Sequence, residues 1–152
     1  MSELRDLYQE VVLDHAKRPR NFGSIVTASH HAVGHNPLCG DKVMVTLMIA
    51  DHHIADARFE GAGCAISMAS ASLMTEAIRG KSEAEVRAMF ERFHAGLTAT
   101  DEVAAAGELA ELDKLAVFGG VREFPVRVKC ATLPWHTVVA ALDHVPQPVK
   151  TE

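Results

Sequence analysis

The sequence predicts an α+β fold: a three-stranded antiparallel sheet packed against several helices in a single domain. Three observations predict it. An apolar stripe at three- and four-residue steps opens the chain. A strand-rich stretch punctuated by turn residues follows, and from residue 65 onward the pattern is helical almost throughout. With 152 residues, of which 48% are hydrophobic and 23% charged, the chain has the size and composition of one soluble domain with its own core.

Residues 3–17 form the first helix, with Leu4, Leu7, Val11, Val12 and His15 along one stripe. Pro19 and Gly23 end it, and His15 is expected at the surface or the edge of the core. Strands are expected at 27–34, 42–50 and 54–60. The third alternates, with Ile54, Asp56, Arg58 and Glu60 on one face and Ala55, Ala57 and Phe59 on the other. Asp51-His52-His53 is a tight turn between the last two strands. Adjacent residues on a strand point to opposite faces, so this His pair is solvated rather than a metal site.

Residues 65–79 form a helix dense in Ala, Ser and Met, with Gly80 at its C-terminal cap. Ser82 and Glu85 make a capping box that opens a helix to about residue 95. Residues 100–115 are helical in part, and Gly119-Gly120 breaks the chain. Pro125 opens a last helix to about residue 144, with a break at Pro134. The domain therefore covers 1–145, and 146–152 is expected to be a disordered tail.

Several function classes are excluded. A net charge of −5 lacks the cation surplus that phosphate neutralisation needs, so no nucleic acid is expected as a partner. The N-terminus has no basic start followed by an apolar stretch, and the longest apolar run, near 43–50, is too short to cross a bilayer. No membrane association and a cytoplasmic location follow as the expectation.

The three cysteines are too few, and odd in number, for a disulfide framework. They are buried small hydrophobes, ligands or reactive thiols. Cys39 lies in the turn sequence Asn36-Pro37-Leu38-Cys39-Gly40-Asp41, where Cys39 and Asp41 share a face if the segment is extended. Cys64 follows Gly61-Ala62-Gly63 and opens a helix, whose N-terminus favours an anion. Cys130 follows Arg127 and Lys129, two cations that would favour a thiolate. Three thiols and a carboxylate make four ligands, the number zinc takes. The spacing leaves open the alternative that Asp41 caps the turn while the cysteines pack.

These segments carry a family resemblance. Asn36 to Asp41, the stretch Phe59-Glu60-Gly61-Ala62-Gly63-Cys64-Ala65-Ile66-Ser67, and Val128-Lys129-Cys130-Ala131-Thr132-Leu133 resemble, in order, the three cysteine signatures of the U-type iron–sulfur assembly family. Leu7-Tyr8 through Asp14-His15, with Pro19-Arg20-Asn21, is similar to that family's opening helix and turn. The scaffold branch of the family usually has His directly before the third cysteine. Lys129 stands there in this chain, and the long stretch between Cys64 and Cys130 likewise resembles the SufU branch.

The resemblance implies Cys39, Asp41, Cys64 and Cys130 as ligands of Zn²⁺, or transiently of an iron–sulfur cluster. It implies a sulfurtransferase role, accepting persulfide sulfur from a SufS-type cysteine desulfurase and passing it to downstream iron–sulfur assembly proteins. Scaffolding of a nascent cluster on the same ligands is the alternative. Cys39 is the expected accepting thiol, because a turn beside Gly40 moves more easily than a helix. Arg127, three residues before Cys130, is expected near the metal, helping to present the site.

Overall fold

The computed structural model describes residues 2–150, and the side chains of residues 8–150. Helix α1 (Ser2–Lys17) leads into strands β1 (His30–Asn36), β2 (Asp41–Ala50) and β3 (His53–Ala62). Helices α2 (Ala65–Ile78), α3 (Glu83–Thr98) and α4 (Glu102–Ala110) follow, then a 3-10 stretch (Asp113–Val121), α5 (Pro125–Leu142) and a short β4 (Val149–Lys150).

The sheet has four strands where the sequence predicts three. Its order is β3-β2-β1-β4, antiparallel except for β4, which runs parallel to β1. Residues 149 and 150, expected in a disordered tail, pair with Gly34 and His35. Two residues carry too little alternation to be recognised as a strand, and the edge of β1 supplies the template for them. The first strand also starts later than expected, at His30, and runs on to Asn36.

Strand β2 alternates as a half-buried strand must: Asp41, Val43, Val45 and Leu47 are all fully buried. On β3 the simple alternation fails. Ile54 is buried together with Ala57 and Phe59, because a register shift opposite Met48 and Ile49 inserts an extra residue and changes the face. The two strands join through Asp51 and His52, both at positive φ (53° and 63°), as a two-residue type I′ turn demands. His52 and His53 are exposed, as expected of turn residues.

Helix α5 lies across β1 and β2, and α2 lies against β3, α1 and α5. Gly34 allows α5 to approach: a Cβ there would meet Thr137 Oγ1 at 2.0 Å. The helix runs unbroken through Pro134, contrary to expectation. Proline removes one backbone hydrogen bond. Leu133, Trp135 and Val138 are fully buried around it, and that packing holds both halves in line. Gly119-Gly120 likewise does not break the chain but lies within the 3-10 stretch, which Phe118 anchors edge-on against Phe93. The capping box at Ser82 and Glu85 forms as expected.

His15 departs from expectation by being buried. Its Nδ1 lies 2.7 Å from Ser72 Oγ, which also accepts the Arg20 N–H at 2.8 Å, tying α1 and its following turn to α2. Burial, and then the nearby Arg20 cation, push the His15 pKa down. Burial does the same at His136 and His30, helped by His94 and His144 respectively. A histidine in this position binds its proton more weakly folded than unfolded. Unfolding therefore takes up protons, and stability falls as pH drops below the ordinary histidine value of about 6.5. His15→Gln is expected to flatten that decline in thermal scans between neutral and mildly acidic pH. An identical decline in wild type and variant would exclude His15 as a contributor.

Candidate metal centre

The β1–β2 connection holds the first two candidate ligands. Asn36 and Asp41 face each other as the closing pair of the hairpin, with residues 37–40 as the loop. Asn36 Oδ1 accepts the Leu38 N–H at 3.2 Å, and Gly40 takes φ +70°, so the loop turns sharply and leaves Cys39 exposed. Asp41, at the start of β2, is wholly buried.

The second segment arrives at the start of α2. Cys64 is the N-cap residue but does not cap the helix with its own side chain. Asp41 Oδ1 accepts the Cys64 N–H instead, at 2.8 Å. Cys64 Sγ stands 3.9 Å from Asp41 Oδ2 and 3.9 Å from Ser67 Oγ. Gly63 makes this approach possible, since a Cβ there would lie 2.4 Å from Asp41 Oδ1. The third segment is the second turn of α5, which carries the buried Cys130 with its sulfur 3.3 Å from that of Cys39. That separation is far beyond the roughly 2.05 Å of a disulfide, and all three thiols are free.

Ligand atoms of Cys39, Asp41 and Cys130 thus lie within 4.8 Å of one another, with Cys64 beside the same carboxylate. The fold brings together all four residues singled out by the sequence. The set fits zinc: three sulfurs and one oxygen, converging from a loop, a strand, a helix start and a helix. Sulfurs sharing one tetrahedral zinc sit about 3.8 Å apart, so the 3.3 Å between Cys39 and Cys130 would open by about half an ångström to hold the ion. Burial, the Asp41 carboxylate and the neighbouring Cys39 push the Cys130 thiol strongly up. The thiolate expected from Arg127 and Lys129 is therefore not favoured by the protein alone. A bound cation is what would favour it.

Arg127 lies in the first turn of α5, its guanidinium carbon 5.9 Å from the centre of the Phe124 ring. It shares a cleft of about 600 Å³ with Cys64, Tyr8, Leu13 and Phe124, so it stands on the rim of the centre rather than among the ligand atoms. Three contributors escape a sequence reading. Asn36, fully buried, places its amide 3.4 Å from Asp41 Oδ2 and 3.5 Å from Cys130 Sγ. Ser67 donates to the Cys64 carbonyl at 3.1 Å, and Gly63 makes room. Their positions inside the cysteine motifs are the only signal the sequence offers.

Fold and centre together define an α+β domain whose converging thiols and carboxylate could hold a metal ion. The model of the NifU-like N-terminal domain family matches residues 7–149, and the chain belongs to that family of U-type iron–sulfur assembly proteins. It is 40% identical over 134 residues to the zinc-dependent sulfurtransferase SufU of Bacillus subtilis, covering 88% of each chain. It is 39% identical to the iron–sulfur cluster assembly scaffold protein IscU of Streptococcus pyogenes, covering 93% of this chain and 86% of that one. Among solved structures, FiSufU of Fervidobacterium islandicum superimposes with a TM-score of 0.77 at 35% identity, over 88% of this chain and 94% of that one.

Proposed function

We propose that the chain is a zinc-dependent sulfur acceptor, taking persulfide sulfur from a SufS-type cysteine desulfurase in a reducing cytoplasm and passing it to downstream iron–sulfur assembly proteins. One observation carries this reading: of the four converging ligands, Cys39 alone is exposed and sits in a loop, while Asp41 and Cys130 are buried. A structural zinc site would have no use for that asymmetry.

Cys39, Asp41, Cys64 and Cys130 would hold the ion, which supplies charge to keep thiols deprotonated and has no redox chemistry to oxidise them. The protein's own groups do the rest. Asn36 and the Cys64 N–H fix the Asp41 carboxylate, and Gly40 lets the Cys39 loop swing. The Cys39 thiolate attacks the outer sulfur of the partner's cysteine persulfide. The partner's S–S bond breaks, its cysteine leaves as a thiolate, and a new S–S bond forms on Cys39 with no net oxidation or reduction. Exposed Leu38, Leu13 and Phe124 surround this centre and offer apolar contact to a partner.

Metal analysis of protein purified without added metal is expected to find about one zinc per chain. Adding that protein to a desulfurase should then raise the rate of cysteine desulfuration. An unchanged rate would reduce the centre to a structural site. The scaffold reading rests on the same ligands and on the IscU relatives. It predicts visible charge-transfer absorption in protein purified without oxygen, where zinc protein is colourless.

Arg127→Ala is expected to lower desulfurase stimulation while zinc content holds, because Arg127 sits on the rim and not in the ligand set. Unchanged stimulation would leave it a solvated side chain packed on Phe124.

A further inference from the structure

Asn36 does more for the centre than close the hairpin. Strand β1 alternates so that Ala32, Gly34 and Asn36 are its buried residues, and α5 packs against this strand. Asn36 is fully buried, opposite Asp41 in the register. Its Oδ1 accepts the Leu38 N–H at 3.2 Å. That bond fixes which way the amide lies, because its nitrogen cannot accept from an N–H. Nδ2, with two hydrogens, therefore faces the ligands, 3.4 Å from Asp41 Oδ2 and 3.5 Å from Cys130 Sγ.

The turn accounts for only half of this side chain. Asp or Ser at residue 36 would accept the Leu38 N–H in the same way. Asp would bring no donor and would set a second carboxylate against Asp41, while Ser carries one hydrogen and not two. The amide half is directed at two buried ligands. A donor held against a thiolate stabilises its charge, and a more stable thiolate is a weaker nucleophile.

This matters because the sulfurs of Cys39 and Cys130 are only 3.3 Å apart, close enough to compete for one incoming electrophile. Cys39 is exposed in its loop and Cys130 is buried, so exposure and damping act in the same direction. We propose that Asn36 is a positioning residue which, by donating to Cys130 Sγ, keeps that thiol unreactive and leaves Cys39 to meet the electrophile. Where the electrophile is a persulfide, this rests on the sulfur-acceptor reading above; thiol reactivity itself is measurable without a desulfurase.

The test compares the full zinc-loaded chain with its Asn36→Leu variant, which keeps nearly the same volume and removes both donors. Iodoacetamide labelling, resolved by mass spectrometry, should modify Cys39 ahead of Cys130 in wild type. In the variant the Cys130 rate should rise about tenfold, the scale of one lost charge-assisted hydrogen bond. In cobalt-loaded protein the sulfur-to-metal charge-transfer band should move to lower energy in the variant, since the sulfur has lost a donor. A side chain that only fills space would leave that band in place. Asn36→Ala replaces the leucine variant if that one does not fold, with the same band shift expected. With a desulfurase and cysteine, part of the added sulfur should move to the Cys130 peptide in the variant. Wild-type protein that gains no sulfur would sink the acceptor reading alone, because labelling and the cobalt band decide the role of Asn36. An unchanged Cys130 rate or an unmoved band would overturn the proposal.

Discussion

Gly63→Val is expected to lose zinc to a chelator about tenfold to a hundredfold more readily than wild type. The reason is steric and local. A Cβ at residue 63 would lie 2.4 Å from Asp41 Oδ1 and 3.0 Å from Asp41 Cβ. Asp41 is wholly buried at the base of β2 and cannot swing aside. The collision must either push the carboxylate out of line or lift the start of α2, and Cys64 moves with the second. Either displacement also stretches the 2.8 Å bond from the Cys64 N–H to Asp41. Gly63 has no left-handed backbone requirement, so the effect is that of added atoms and not of lost flexibility. Chelator competition measures it, with far-ultraviolet circular dichroism confirming the fold. Wild-type zinc retention in a folded Gly63→Val protein would show that Asp41 is not a ligand.

Cys39→Ala is expected to abolish nearly all desulfurase stimulation while changing the stability of the metal-free fold by less than about 0.5 kcal/mol. Cys39 is exposed in a loop, so its sulfur contributes nothing to the core. Cys64, Asp41 and Cys130 remain as donors, and some zinc should stay bound. The variant therefore separates the accepting thiol from the ion. Stimulation near the wild-type rate in Cys39→Ala would move the acceptor role to another thiol.

Much of the centre was legible because its parts are local. The Asn36–Asp41 hairpin loop, the helix start at Cys64 and the helix that carries Cys130 are each short-range patterns. What places them together is not local. Cys39 and Cys130 are far apart in sequence, and their 3.3 Å approach depends on α5 lying across β1, which Gly34 permits. Three spacings in the sequence could not distinguish four ligands from packed cysteines; the preference for ligands came from the family resemblance.

The misses have separate physical causes. The face of Ile54 is set by a bulge, and a bulge has no signature in simple alternation. Strand β4 exists only as an addition to the edge of β1. The helix survives Pro134 because buried neighbours outweigh one lost hydrogen bond. His15 is buried because Ser72, more than fifty residues away, gives its ring a polar partner. The high thiol pKa of Cys130 follows from burial and Asp41, which outweigh the cations beside it in sequence.

The position of transferred sulfur tests the central claim most directly. The zinc-loaded chain is incubated with the desulfurase and its cysteine substrate, alkylated, digested and analysed by mass spectrometry. The account predicts the added sulfur on the peptide containing Cys39, and its loss in Cys39→Ala. Added sulfur on the Cys130 peptide that survives Cys39→Ala would contradict it, leaving Cys39 a ligand and nothing more.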